Sequence, residues 1–179
     1  SAILCAWQGG QEGGNSVSDI LSGVVNPSGK LPMTFPMALE DHASNANFPL
    51  EGFPLSLTGF FSGKKDKPAE EQIVNVDYTQ YEEGIYVGYR HFDKNDLDVS
   101  YPFGFGLSYT EFEHKDLNIK LVDGDINIRV EVMNTGLLAG KEVVEIYVSK
   151  PDTKIDRAAQ ELKAFVKTPL LGSGEGVEV

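Results

Sequence analysis

The run Leu117-Asn118-Ile119-Lys120-Leu121-Val122-Asp123-Gly124-Asp125-Ile126-Asn127-Ile128-Arg129-Val130-Glu131-Val132 decides the fold class. Leu117, Ile119 and Leu121 alternate with polar residues, and after Asp123-Gly124 the alternation resumes at Ile126, Ile128, Val130 and Val132. A period of two places these apolar side chains on one face, so the segment predicts two half-buried antiparallel strands joined by a tight turn. Beyond Asn134-Thr135-Gly136 the same pattern continues through Val144, Ile146 and Val148. Glu161 to Lys167 predicts another strand, and Leu171 to Val179 reads as the start of a further one. Short strands between frequent turns predict a β-sandwich, with about four strands visible where an immunoglobulin-like sandwich has about seven.

Upstream the pattern changes twice. Tyr78 to Phe112 holds Tyr78, Tyr81, Tyr86, Tyr89, Phe92, Tyr101, Phe103, Phe105, Tyr109 and Phe112, ten of eighteen aromatics, in an irregular, glycine-rich setting. Such rings fill a seam between packed units while their hydroxyls find polar partners; the other reading is stacking on a sugar face. Residues 37–77 have no sustained period and read as a long irregular connection, with Phe48, Phe53, Phe60 and Phe61 expected to pack on a neighbouring surface. Asn26 to Pro36 predicts a turn and a short extended run closed by prolines.

The chain opens on Ser1-Ala2-Ile3-Leu4-Cys5-Ala6-Trp7, which reads as a buried strand, followed by the loop Gly9-Gly10-Gln11-Glu12-Gly13-Gly14. A short helix then follows: Asn15 or Ser16 caps it, Val17, Ile20 and Leu21 form one apolar face, and Gly23 ends it. One strand and one short helix cannot form a sheet with its own core, so this unit predicts the end of an α/β layer. The polypeptide therefore reads as a piece of something longer at both ends.

Composition narrows the function. Of 179 residues, 15 are Lys or Arg and 27 are Asp or Glu, giving a formal charge of −12. This argues against a nucleic-acid partner, which requires a basic stripe to displace counterions. With 41% apolar and 23% charged residues the chain is predicted to be folded and soluble, and no apolar run reaches the roughly 20 residues of a membrane span. A single cysteine, Cys5, permits no internal disulfide and reads as a small buried hydrophobe. His42, His91 and His114 are too dispersed for a zinc site, so no metal is expected.

The chemistry-bearing groups are few. The Gly9 to Gly14 loop lacks a P-loop ending and a dinucleotide spacing, and Glu12 would repel a phosphate; a tight strand-to-helix turn is the better reading. Glycoside hydrolysis needs two carboxyl groups about 5–5.5 Å apart for retention or roughly 6.5–9.5 Å for inversion. The doublet Glu82-Glu83 would point to opposite faces if Tyr81 to Tyr89 is extended, which favours solvated charge. Glu142/Glu145 and Glu70/Glu71 are no better placed, and Cys5 has no local histidine partner. No residue of this sequence is assigned a catalytic role, and no substrate-binding residue is assigned.

Four ordered blocks carry a resemblance. They are Trp7-Gln8-Gly9-Gly10-Gln11-Glu12-Gly13-Gly14, Asn26 to Pro36, Tyr81-Glu82-Glu83-Gly84-Ile85-Tyr86-Val87-Gly88-Tyr89-Arg90, and Tyr101 to Thr110, extended by Asn134-Thr135-Gly136 and Gly140 to Val144. Together they resemble the C-terminal part of glycoside hydrolase family 3, of the three-domain β-glucosidase type. The resemblance implies a mixed fold: residues 1–36 end an α/β sandwich, 37–77 connect, 78–111 cross the domain junction, and 112–179 begin a fibronectin type III-like β-sandwich. It implies a retaining, exo-acting β-glucosidase whose catalytic Asp and Glu precede Ser1, with no cofactor and an oligosaccharide or aryl or alkyl β-glycoside as substrate. A β-xylosidase of the same family and a non-catalytic carbohydrate-binding or scaffold module are the alternatives. A periplasmic or extracellular location rests on the resemblance alone, and a homo-oligomer stays open.

Overall fold

The two-residue turn Asp123-Gly124 adopts positive φ at both positions, +53° and +91°. That is the backbone a tight hairpin between right-twisted strands requires. It joins β3 (Phe112–Val122) to β4 (Asp125–Asn134), with Ile119 opposite Ile128 and Leu121 opposite Ile126. A bulge lies between Lys115 and Asn118, where Asp116 has φ +49°. β7 (Gly176–Glu178) lies on the other edge of β4, with Val177 opposite Val132, giving the order β3-β4-β7. β5 (Val143–Val148) and β6 (Glu161–Lys167) form a separate antiparallel pair. The computed structural model describes residues 2–47 and 81–179. Over these residues it is mostly sheet with few helices.

The predicted alternation holds where a facing layer exists. Val130, Val132, Val144 and Leu171 form the buried core, with Phe112, Ile146, Val177 and Val179 packed against it. Towards the hairpin tip the expectation of half-buried strands fails: Leu117, Ile119, Leu121 and Ile126 are all more than half exposed. β3 runs 11 residues whereas β5 runs 6, so the longer hairpin projects past the core it helps to build. Periodicity determines which side chains share a face; covering that face takes a partner of equal length.

Two further expectations are corrected. Residues 2–7 form no strand in the structure, and Ile3, Trp7 and Cys5 are exposed rather than buried. A strand exists only through its ladder, and no sheet among the described residues includes this segment. The segment Tyr81 to Tyr89 is not extended. Tyr86 N donates to Glu83 O at 3.0 Å across a turn at Gly84-Ile85, and α2 (Tyr89–Asn95) follows directly. Asp96, in the left-handed conformation, ends α2, and Leu97 N caps it on Phe92 O at 3.1 Å.

The predicted first helix is present as α1 (Gly13–Leu21), beginning two or three residues before the expected caps. Glu12 occupies its N-cap position, and its carboxylate accepts from Asn15 Nδ2 at 2.6 Å; neither Asn15 nor Ser16 serves as the cap. Gly23, at φ +77°, terminates the helix as read, its N–H donating to Ile20 O. The short extended run closed by prolines yields β1 (Phe35–Pro36), paired with β2 (Val99–Tyr101). The part of the 37–77 connection within the described residues holds two 3-10 turns, Leu39–Asp41 and Ala43–Asn47. Phe48, Phe53, Phe60, Phe61, Glu70, Glu71 and Tyr78 lie outside the described residues.

By contacts the chain divides into two units. One comprises Ser1–Pro32, Phe103–Val148 and Glu161–Val179, and the other Met33–Pro102 and Ser149–Gln160. No described helix is long and apolar enough to cross a membrane.

Candidate functional site

The acidic candidates differ in exposure and in partners. Glu82 is exposed, consistent with solvated charge, but Glu83 is half-buried and one of its carboxylate oxygens has no hydrogen-bond partner among the described residues. The backbone turns directly after Glu83, so the doublet does not sit in the extended geometry expected for it. Glu142 accepts from Lys30 Nζ at 2.8 Å and from Val143 N at 2.6 Å. Glu145 instead accepts from the Tyr147 hydroxyl at 2.7 Å and lies over Gly104. These contacts give Glu142 and Glu145 separate partners.

The histidines share little. His42 and His91 both pack edge-on against the buried Phe92 ring, at 5.6 and 5.3 Å between centroids. His91 Nε2 lies 3.0 Å from Asp41 O, while His114 stands exposed on β3. No group of three metal-ligating side chains converges among the described residues. The glycine loop is a tight turn: a Cβ on Gly9 would lie 2.8 Å from Gly13 Cα, and Gly10 has φ +62°.

What the quoted sequence blocks build within the first unit is a polar joint. Asn26 donates to Ala139 O at 3.0 Å and accepts from Ser108 Oγ at 2.9 Å and Tyr109 N at 2.8 Å. The Tyr109 hydroxyl donates to Ile20 O at 2.9 Å, near the end of α1. Leu31 N donates to Phe105 O and Gly104 N to Leu31 O, both at 2.8 Å, a strand-like exchange between two distant segments. Lys30 Nζ reaches Gly106 O at 3.0 Å as well as Glu142, with only 19% and 13% of the two charged side chains exposed. A pair that deeply set persists only with its hydrogen bonds complete, and here they are made. The sequence signal was present in the Asn-Pro-Ser-Gly-Lys and Phe-Gly-Phe-Gly blocks, but spacing alone could not show that the two meet.

The second unit holds a smaller polar cluster on α2. Lys94 Nζ lies 2.7 Å from Asp156 Oδ1 and 5.0 Å from the Tyr86 ring centroid. The Tyr86 hydroxyl donates to Arg157 O at 3.2 Å, and Gln160 Nε2 donates to Asp93 Oδ2 at 2.9 Å. The hydrogen bond from Lys94, then Tyr86, holds the Asp156 carboxyl below the ordinary carboxylate range. The same bond to Asp156, then Tyr86, raises Lys94 above an ordinary lysine. A carboxyl depressed on folding contributes stability above its unfolded pKa and loses it as pH falls through the folded value. A raised lysine contributes below its unfolded pKa and loses it as pH rises through the folded value. The pair's contribution is therefore expected to stay flat through neutral pH and to fade only in acid or strong alkali. A carboxyl-carbon NMR titration should show Asp156 ionising at lower pH than in the Lys94→Met variant; coincident curves would remove the pair from the account.

Among the described residues this is a β-rich arrangement braced by the Asn26 and Lys30 contacts. Residues 1–89 match the family model described as the glycosyl hydrolase family 3 C-terminal domain. The probable β-glucosidase I of Emericella nidulans is 42% identical over 99% of this chain and 19% of its own length. The thermostable β-glucosidase B of Acetivibrio thermocellus is 38% identical over 97% and 20%. β-Glucosidase 3B from Thermotoga neapolitana, solved in complex with glucose, superposes with a TM-score of 0.78 at 44% identity, over 97% of this chain and 21% of that one. The chain belongs to glycosyl hydrolase family 3 and carries sequence of that family's C-terminal portion. It spans about a fifth of the length of the curated relatives it matches.

Proposed function

We propose that this polypeptide is the supporting C-terminal portion of a retaining, exo-acting β-glucosidase that removes terminal β-D-glucosyl residues. The observation that carries the reading is the match to β-glucosidases across nearly the whole chain, at about two-fifths identity. In this reading residues 1–36 close an α/β sandwich and residues 112–179 begin a fibronectin type III-like domain. The polar joint about Asn26 and Lys30 holds the end of the first against the start of the second. The reactive carboxyl groups lie on polypeptide preceding Ser1. There one carboxyl group protonates the glycosidic oxygen while the other forms the glycosyl-enzyme, which water then hydrolyses. The substrate is an oligosaccharide or an aryl or alkyl β-glycoside, and the location is periplasmic or extracellular.

The test is direct. The 179-residue polypeptide is expected to release no p-nitrophenol above the buffer blank from aryl β-glucosides or β-xylosides, while the full-length protein releases it from the glucoside. Turnover that co-purifies with the 179-residue polypeptide would place reactive carboxylates within it and overturn the reading; a full-length enzyme preferring the xyloside would reassign the sugar.

A further inference from the structure

Residues Ser149–Gln160 leave β5, associate with the helix-bearing second unit, and return to β6. Their sequence, Ser149-Lys150-Pro151-Asp152-Thr153-Lys154-Ile155-Asp156-Arg157-Ala158-Ala159-Gln160, holds five charged residues. Its larger apolar side chain, Ile155, is 64% exposed, and only Ala158 is buried. One buried methyl group contributes little hydrophobic stabilisation, so the described contacts that seat this segment are polar. They are the Lys94–Asp156 ion pair, the Tyr86 hydroxyl on Arg157 O, and Gln160 on Asp93, and the Tyr86 ring lies beside Lys94. The ion pair stands open to water, with 44% of the Lys94 side chain and 68% of Asp156 exposed.

We propose that residues 149–160 are an electrostatically latched strap, seated on α2 through Lys94 at low ionic strength and released as salt screens that contact. Exposed ion pairs weaken with salt, whereas the β5–β6 ladder on either side is held by backbone hydrogen bonds and should not respond. Segments with few buried apolar contacts open locally at much lower cost than the core, so the strap can release without global unfolding.

Limited trypsin digestion of the full-length protein reads the strap directly, because Lys154 and Arg157 are exposed cleavage points within it and Lys167 in β6 reports on global opening. At about 0.01 M salt, where charges interact over roughly 30 Å, Lys94→Met is expected to be cut at Lys154 and Arg157 about fivefold faster than wild type. At about 1 M salt, with interactions confined to roughly 3 Å, the ratio should fall to near one. Taking the ratio cancels trypsin's own response to salt. Tyr86→Phe, which keeps the ring over Lys94 but removes the hydroxyl, should show a smaller increase that persists at high salt. Equal cleavage of wild type and Lys94→Met at low salt, or a ratio independent of salt, would overturn the latch. Should Lys94→Met be cut equally fast at Lys167, the wild-type ratio of strap to Lys167 cleavage across the salt series decides instead, and a flat ratio sinks the proposal.

Discussion

Asn134→Leu is expected to cost the β unit about 2–4 kcal/mol, enough to remove a large share of a domain's stability. Asn134 is fully buried. Its amide donates to Leu138 O at 2.8 Å and Leu171 O at 2.9 Å, and its carbonyl accepts from Thr110 Oγ1 at 2.8 Å and Gly136 N at 3.1 Å. Leucine matches the volume but satisfies none of these. Two groups retain partial partners, because Gly140 N also donates to Leu171 O and Gly136 N also reaches Glu111 O. The Thr110 hydroxyl and the Leu138 carbonyl lose their described partner, which sets the size of the effect. Asn134→Asp separates hydrogen-bond chemistry from shape: its carboxylate can accept from Thr110 and Gly136 but faces two carbonyl oxygens without a proton to offer. It should be at least as damaging as the leucine. Urea unfolding of the three proteins checks this, and a leucine variant within about 0.5 kcal/mol of wild type would mean the hub is dispensable.

Gly106→Ala is expected to destabilise by about 3 kcal/mol, at the upper end for an overpacked site. A Cβ there would lie 2.2 Å from Gly29 O and 2.9 Å from Lys30 Cδ. The lysine stem could bend, but the carbonyl is backbone. Moving it breaks the Leu31–Phe105 and Gly104–Leu31 hydrogen bonds and pulls Lys30 from Glu142. Gly29→Ala is the matched control: its own Cβ meets nothing within 4 Å, so it should change stability little. Thermal or urea unfolding that ranked the two variants equal would show that close approach at this crossing is not what selects glycine at 106.

The strands of residues 112–179 were legible because alternation is a local property: β5 and β6 lie where Val144 to Val148 and Glu161 to Lys167 indicated. The α2 helix was missed because its seven residues, Tyr89–Asn95, follow a glycine and carry aromatics whose density masked any period. The burial of Cys5 was misread for a different reason. An apolar run indicates that a surface wants covering, but in the described structure no strand lies beside it. Of the polar joint, the residues were visible as blocks, while their pairing was not.

By itself the sequence determined the strand registers' raw material, the turn at Asp123-Gly124, the end of α1 at Gly23 and the family blocks, since each depends on neighbours a few residues apart. Only the tertiary structure decided that Asn26 meets Ser108 and Ala139, that Lys30 meets Glu142, and that the hairpin tip stands uncovered. Those outcomes depend on which distant segments exclude water from one another, a property of the folded chain that no local spacing encodes.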